Sequence, residues 1–74
     1  MPLSMVREGE AGIIHKVAGK EETRRFLENL GFVTGGVVNV ISWNGGSLIV
    51  NVKDARVALG RDMANKILVN QSMS

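Results

Sequence analysis

The sequence contains no cysteine, one histidine, two phenylalanines, one tryptophan and no tyrosine among its 74 residues. Without cysteine, a chain this short cannot use the disulfides or thiolate zinc sites that stabilise many small domains. A single histidine cannot supply a histidine-rich metal site, so no metal-ligating residues and no cofactor are predicted. The fold must rest on packing, and an apolar content of 45% is enough for one small domain.

Clustered positive charge and long apolar runs are also missing. Nine lysines and arginines stand against seven acidic residues, a formal net charge of +2, whereas phosphate-backbone binding uses several clustered cations. No segment approaches the roughly 18 apolar residues of a membrane span, and the first five residues lack the regions of a signal peptide. We therefore expect a cytoplasmic domain that binds no nucleic acid and does not insert into a membrane.

No arrangement of residues predicts catalysis. None of the five serines is near the lone histidine, His15, in sequence, so no nucleophile and base can be paired. The Gly45-Gly46 pair lacks the Lys-Ser or Lys-Thr that follows in a phosphate-binding loop. We predict a protein that is not an enzyme, with His15 exposed on a strand.

One helix is predicted over about residues 20–30. Residues at helical spacing form a single stripe, namely Thr23, Phe26, Leu27 and Leu30. Gly19 is the expected N-cap. Gly31 fits the left-handed position that ends a helix, with Phe32 folding back onto Leu27.

Short β-strands account for most of the remaining chain, and they are predicted over residues 12–18, 37–43, 48–53, 56–59 and 66–69. In the first strand, a bulge near Lys16 would turn Ile14 and Val17 inward and keep His15 out of the core. Alternation in the next two strands predicts a set of inward residues: Val38, Val40, Leu48, Val50 and Val52. A single helical turn is expected over residues 60–65.

Glycine-rich segments mark the turns. We predict a turn at Gly35-Gly36 and a tight hairpin at Asn44-Gly45-Gly46, where Asn-Gly favours positive φ angles. A second tight turn is predicted over residues 53–55.

The predicted order is strand, helix, three meandering strands, a helical turn and a last strand. Closing such a sheet removes exposed edges, and a helical turn before the last strand is typical of SH3-like barrels. We predict a mainly β domain over residues 1–69. It would be a small SH3-like barrel of about five strands, with one α-helix inserted after the first strand. Residues 70–74 are expected to form a disordered tail.

Three segments, in this order and spacing, resemble FeoA-type ferrous iron transport accessory proteins. Gly9-Glu10-Ala11-Gly12-Ile13-Ile14 is similar to the family's opening G-x-x-G/A-x-I, and residues 25–35 are similar to its R-x-L-x-x-L-G-hydrophobic-x-x-G. Residues 56–59, with Ala64 and residues 67–69, are similar to its closing x-I-A-L…A-x-x-I-x-V. The resemblance covers residues 3–69. It implies a small cytoplasmic SH3-like protein of bacterial ferrous iron uptake. Its expected partner is FeoB, a membrane permease with a cytoplasmic GTP-binding domain.

Two groups of residues are candidates for partner binding: Trp43 and Asn44 at the hairpin, and Arg24, Arg25 and Glu28 on the helix. Trp43 either anchors a partner, because tryptophan is enriched at binding hot spots, or plugs one end of the barrel. The helix residues form either a docking face or a solvated face with two ion pairs, Glu21–Arg25 and Arg24–Glu28.

Other functions remain open from the residues alone. A small barrel can also bind nucleic acid, or a proline-rich peptide if it has an aromatic-lined groove. The chain is expected to be a monomer or a weak homo-oligomer.

Overall fold

The computed structural model describes residues 1–71 of the chain. In chain order these residues form a 3₁₀ turn at Leu3–Met5, β1 at Ala11–Val17, α1 at Glu21–Leu30, β2 at Val37–Asn44, β3 at Ser47–Val52, β4 at Ala55–Gly60, α2 at Arg61–Asn65 and β5 at Ile67–Gln71. The predicted order of five strands, with one helix after the first strand and a short helical segment before the last, is confirmed.

The five strands form one antiparallel sheet in the order β4-β3-β2-β1-β5. Strands β2, β3 and β4 form a meander, and β5 returns to the far side of β1. Within residues 1–71, the two end strands β4 and β5 do not pair with each other. The sheet is therefore barrel-like without closing strictly.

The N-terminal residues cover the outer edge of β5. The amino group of Met1 donates a hydrogen bond to the carbonyl of Val69 at 2.9 Å, and the N–H of Val69 donates to the carbonyl of Met1 at 2.7 Å. Pro2 forms a β-bridge with Leu68. Leu3 is fully buried in the core. These residues are therefore an additional short edge of the sheet, which their sequence pattern did not indicate.

The last strand is longer than predicted. Asn70 and Gln71 belong to β5 and lie opposite Ile13 and Gly12 of β1, because the antiparallel register continues past Val69. The predicted tail is thus wrong for residues 70 and 71, and the rest of it, residues 72–74, lies outside the described residues.

The N-cap of helix α1 is one residue later than the predicted Gly19. Lys20 is the N-cap, with an extended backbone (φ −70°, ψ 158°), whereas Gly19 has φ +107° in the preceding turn. At the other end, Gly31 is left-handed (φ 112°, ψ 2°), as predicted. The N–H of Phe32 donates to the carbonyl of Leu27 at 3.0 Å, the bond that closes a Schellman motif.

The helix buries a narrower stripe than its spacing suggests. Leu27 is fully buried and Leu30 packs against the core, but Phe26 is 51% exposed. At 100° per residue, Phe26 lies about 60° from Thr23 on the side away from Leu27. The expectation that Phe26 shares the buried stripe is therefore wrong.

The core lies inside the curled sheet, and its strand residues are the predicted ones. Val38, Val40, Leu48, Val50 and Val52 are all at most 2% exposed. In β1, the register with β5 shifts between Ile14 and Lys16. This bulge buries Ile14 and leaves His15 exposed, as predicted.

The predicted tight turns are present, with one difference. Asn44 stays in β2 and pairs with Ser47. Within this turn, Gly45 is therefore the residue that takes the left-handed conformation, with φ +64°. Lys53 and Asp54 have φ values of 49° and 65°, which is the pattern of a two-residue type I′ hairpin.

Gly12 is required by close packing between β1 and β5. A Cβ atom added there would lie 2.9 Å from both Cβ and Cγ2 of Val69, which is fully buried. We expect Gly12→Ala to lower the free energy of unfolding by about 1 to 3 kcal/mol through overpacking. Urea denaturation measures this change. Gly60→Ala is the matched control, because an added Cβ there meets nothing within 4 Å. Equal midpoints for the two variants would contradict this interpretation.

Candidate functional site

The candidate partner-binding residues lie on two separate surfaces. Trp43 and Asn44 are at the C-terminal end of β2. The C-terminal end of α1 lies near the start of β2, because Gly31 approaches the side chain of Lys53, and Lys53 follows Val52, the partner of Val38. A strand rises about 3.3 Å per residue, so the six steps from Val37 to Trp43 span about 20 Å. The structure therefore does not bring the two groups together.

The first surface, here called the α1 surface, is the exposed side of α1 and comprises Arg24, Arg25, Phe26 and Glu28. At 100° per residue, Arg24 and Glu28 lie together on the groove side of the helix, whereas Phe26 lies about 160° from both of them, with Arg25 between. Behind it, a groove of about 440 Å³ runs between α1 and the end of β1. Arg24 and Glu28 line this groove together with His15, Lys16, Val17, Ala18, Gly19, Phe32 and Thr34. The bulge in β1 places His15 at the groove, because it turns this side chain away from the core.

The charges of the α1 surface are only partly neutralised by each other. Arg25 forms the predicted ion pair with Glu21 at 2.9 Å, and both side chains are more than 70% exposed, so the pair contributes little to stability. The predicted Arg24–Glu28 pair is not formed. Within residues 1–71, the side chains of Arg24 and Glu28 have no hydrogen bond or ion pair. Both charges are therefore available to a partner.

Phe26 is the residue of this surface that sequence reasoning missed. Helical spacing assigned it to the buried stripe, yet half of its surface is exposed beside Arg25. The orientation of α1 on the sheet decides that Leu27 is buried and Phe26 is exposed. The sequence therefore carried no signal for the exposure of Phe26. Exposed aromatic and arginine side chains are enriched at protein interfaces.

The second surface, here called the hairpin surface, comprises Trp43, Asn44, Glu8 and Arg61. Trp43 packs partly against the core. The guanidinium of Arg61 lies over its indole at 4.6 Å from the ring centroid, a cation–π contact. The backbone N–H of Trp43 donates to Oε2 of Glu8 at 2.8 Å. The ring is thus held between the core and Arg61, while Asn44 is exposed.

The contacts of Glu8 and Arg61 could not be found from the sequence. Glu8 is 35 residues from Trp43, and no periodicity links them. Arg61 reaches the ring because Ser47, at the start of β3, pairs with Gly60, directly before α2. This register brings the first residue of α2 to the hairpin end of the sheet.

Residues 1–71 were searched for groups of metal-ligating side chains and for helices that could span a membrane. No group of three or more His, Asp or Glu side chains in this part of the chain could hold a metal ion. None of the helices found between residues 1 and 71 is long and apolar enough to cross a membrane.

Comparison with known proteins agrees with the fold and with the resemblance noted above. The sequence profile of the FeoA domain matches residues 1–71. A curated relative from Methanocaldococcus jannaschii, named as an Fe(2+) transport protein A, is 31% identical over 71 residues, which cover 96% of this chain and 87% of that protein.

Two solved structures show the same fold. The crystal structure of an iron uptake regulatory protein, FeoA, has a TM-score of 0.89 at 26% identity and covers 97% of both chains. FeoA of Stenotrophomonas maltophilia, an SH3 domain protein solved with zinc, has a TM-score of 0.84 at 28% identity, over 95% of this chain and 89% of that one. The predicted SH3-like fold is confirmed, and the chain belongs to the FeoA domain family.

Proposed function

We propose that this domain is a cytoplasmic accessory protein of ferrous iron uptake. It would bind the cytoplasmic region of a FeoB-type GTP-binding permease and regulate it by protein contact. Membership of the FeoA family supports a role in the Fe²⁺ transport system. In this proposal iron is the cargo of the permease, and the domain acts without covalent chemistry.

The observation that carries the proposal is the composition of the α1 surface. Phe26 presents a half-exposed aromatic ring, and Arg24 and Glu28 present two charges with no partner inside the described chain. Aromatic and arginine side chains dominate the energetics of protein interfaces. A permease segment lying across the exposed side of α1 would contact Phe26 on one flank of the helix and the two charges on the other flank.

The hairpin surface offers a partner less exposed aromatic area. Trp43 already packs against the core and against Arg61, so only part of its ring is available for contact. We therefore place the docking contact on the α1 surface and keep Trp43 as the comparison in the test.

Binding is tested first with the intact domain. The domain is mixed with the soluble GTP-binding domain of the permease and, separately, with the full permease in detergent, each with and without guanine nucleotide. Saturable binding by calorimetry is the expected result. Absence of binding in all four mixtures would show that the proposed function is wrong.

The docking surface is tested with Phe26→Ala, which we expect to weaken permease binding by about tenfold or more, as for an interface hot spot. Because Phe26 is half exposed, the variant should fold normally by circular dichroism. Arg24→Glu should also weaken binding. Met5→Ala, at a side chain that is 65% exposed on another part of the molecule, is the control.

The variants at the two surfaces distinguish a docking contact at α1 from one at the hairpin. If Trp43→Ala weakens binding while Phe26→Ala and Arg24→Glu do not, the docking contact lies at the hairpin surface and our assignment is wrong. If the α1 variants alone weaken binding, the assignment is supported.

A further inference from the structure

Strand β4 is an end strand of the sheet whose outer edge is unpaired. Ala55, Arg56, Ala58 and Gly60 are exposed. Within residues 1–71, the backbone of β4 makes no backbone hydrogen bond on the side away from β3. An exposed edge of this kind is a template for pairing with another strand.

The register identifies which groups of β4 point outward. Lys53 and Asp54 form a two-residue turn, so Val52 and Ala55 on either side of it are a hydrogen-bonded pair. Bonding to β3 then alternates along β4. Ala55, Val57 and Leu59 face β3, whereas the N–H and C=O groups of Arg56 and Ala58 face outward.

This edge has few of the features that prevent strand addition. Its pairing with β3 is continuous from Ser47 opposite Gly60 to Val52 opposite Ala55, so no bulge twists it away. It contains no proline, and Arg56 is its only charged residue. At the other end of the sheet, Met1 and Pro2 cover the edge of β5. Among the residues that the structure describes, only the β4 edge is therefore open.

We propose that this edge pairs with β4 of a second copy of the chain, antiparallel, with the two-fold axis at Val57. In that register Arg56 of each copy lies opposite Ala58 of the other copy. The two pairs form four N–H···O bonds. The large charged side chain thus faces a small neutral one across the interface.

The two neighbouring two-fold registers are less favourable. An axis at Arg56 would set two guanidinium groups directly opposite each other, which is destabilising. An axis at Ala58 would carry the pairing through Gly60, where the chain leaves β4 and enters α2. The register at Val57 uses only residues 55–59, which all lie within the strand. The edge is thus complementary to itself, which is why a second copy is the occupant.

The expected dimer is weak. Pairing of five residues falls below the roughly 1,200 Å² of buried surface that stable complexes usually need. Association should therefore depend on protein concentration. This inference does not depend on the proposed contact with a permease.

The test uses the absence of cysteine. Val57→Cys places two thiols across the two-fold axis in a non-hydrogen-bonded pair, where Cα atoms are about 4.5 Å apart, within the range of a disulfide. In Ala58→Cys the two equivalent Cα atoms would be about 8 Å apart, which is too far. Under copper–phenanthroline oxidation, we expect the Val57→Cys dimer to form about tenfold faster than the Ala58→Cys dimer.

Exposure predicts the opposite order, because residue 58 is exposed and Val57 is half-buried. If Ala58→Cys is cross-linked as fast as Val57→Cys or faster, the proposed pairing is wrong.

A second variant tests the backbone bonds. Adding Ala58→Pro to Val57→Cys removes one outward N–H without touching the bonds to β3, a substitution that edge strands tolerate. We expect cross-linking to fall to the rate of Ala58→Cys, while Ala58→Ser in the same background keeps the fast rate. Unchanged cross-linking in the proline variant, with a normal circular dichroism spectrum, would overturn the proposal.

Discussion

Phe32→Ala is expected to lower the free energy of unfolding by about 3 to 5 kcal/mol. Phe32 is fully buried, and its N–H also closes the end of α1 by bonding to Leu27. Removing the ring leaves a cavity between α1 and the sheet that neighbouring residues fill only in part. Total stability of a small domain starts at about 5 kcal/mol, so a large share of the variant should be unfolded at 37 °C. Urea denaturation followed by circular dichroism measures the loss.

The chain supplies its own control for this prediction. Phe26→Ala removes the same ring from a site that is 51% exposed, and we expect it to change stability by less than about 1 kcal/mol. Similar losses in the two variants would contradict the packing described for α1.

Leu3→Ala is expected to cost about 2 to 5 kcal/mol, although Leu3 lies at the extreme N-terminus. Its side chain is fully buried. The segment that carries it is held by the bonds between Met1 and Val69 and by Ser4, whose hydroxyl donates to the side chain of Asn65. The loss should appear as a lower urea midpoint. Faster amide hydrogen exchange in β5 should accompany it, because the segment covers the edge of that strand.

Met5→Ala separates burial from position in the chain. Met5 is in the same 3₁₀ turn but is 65% exposed, so its replacement should change the midpoint little. If both variants lose the same stability, the effect would come from the turn as a whole and not from the buried leucine.

The strands could be predicted because their signals are local. Leu48, Val50 and Val52 alternate with more exposed residues, and the resulting face is buried as the alternation indicates. Gly31 and Gly45 mark conformations that other residues rarely adopt. Such signals depend on a few neighbouring residues, so reading along the chain was sufficient for them.

The candidate site could not be predicted in the same way, because it depends on how the elements rest on each other. The exposure of Phe26 follows from the orientation of α1, and the contact of Arg61 with Trp43 follows from the register of β4 with β3. Spacing along the chain does not encode either relation. For the same reason, the sequence did not indicate that the two groups of candidate residues lie at opposite ends of β2.

The hydrogen bonds between Met1 and Val69 join positions that are 68 residues apart. The two ends of the folded domain are therefore adjacent in space. Any polypeptide attached before residue 1 and any attached after β5 would leave the domain from one edge of the sheet. A longer chain can thus carry the domain as a side unit whose two connections lie next to each other.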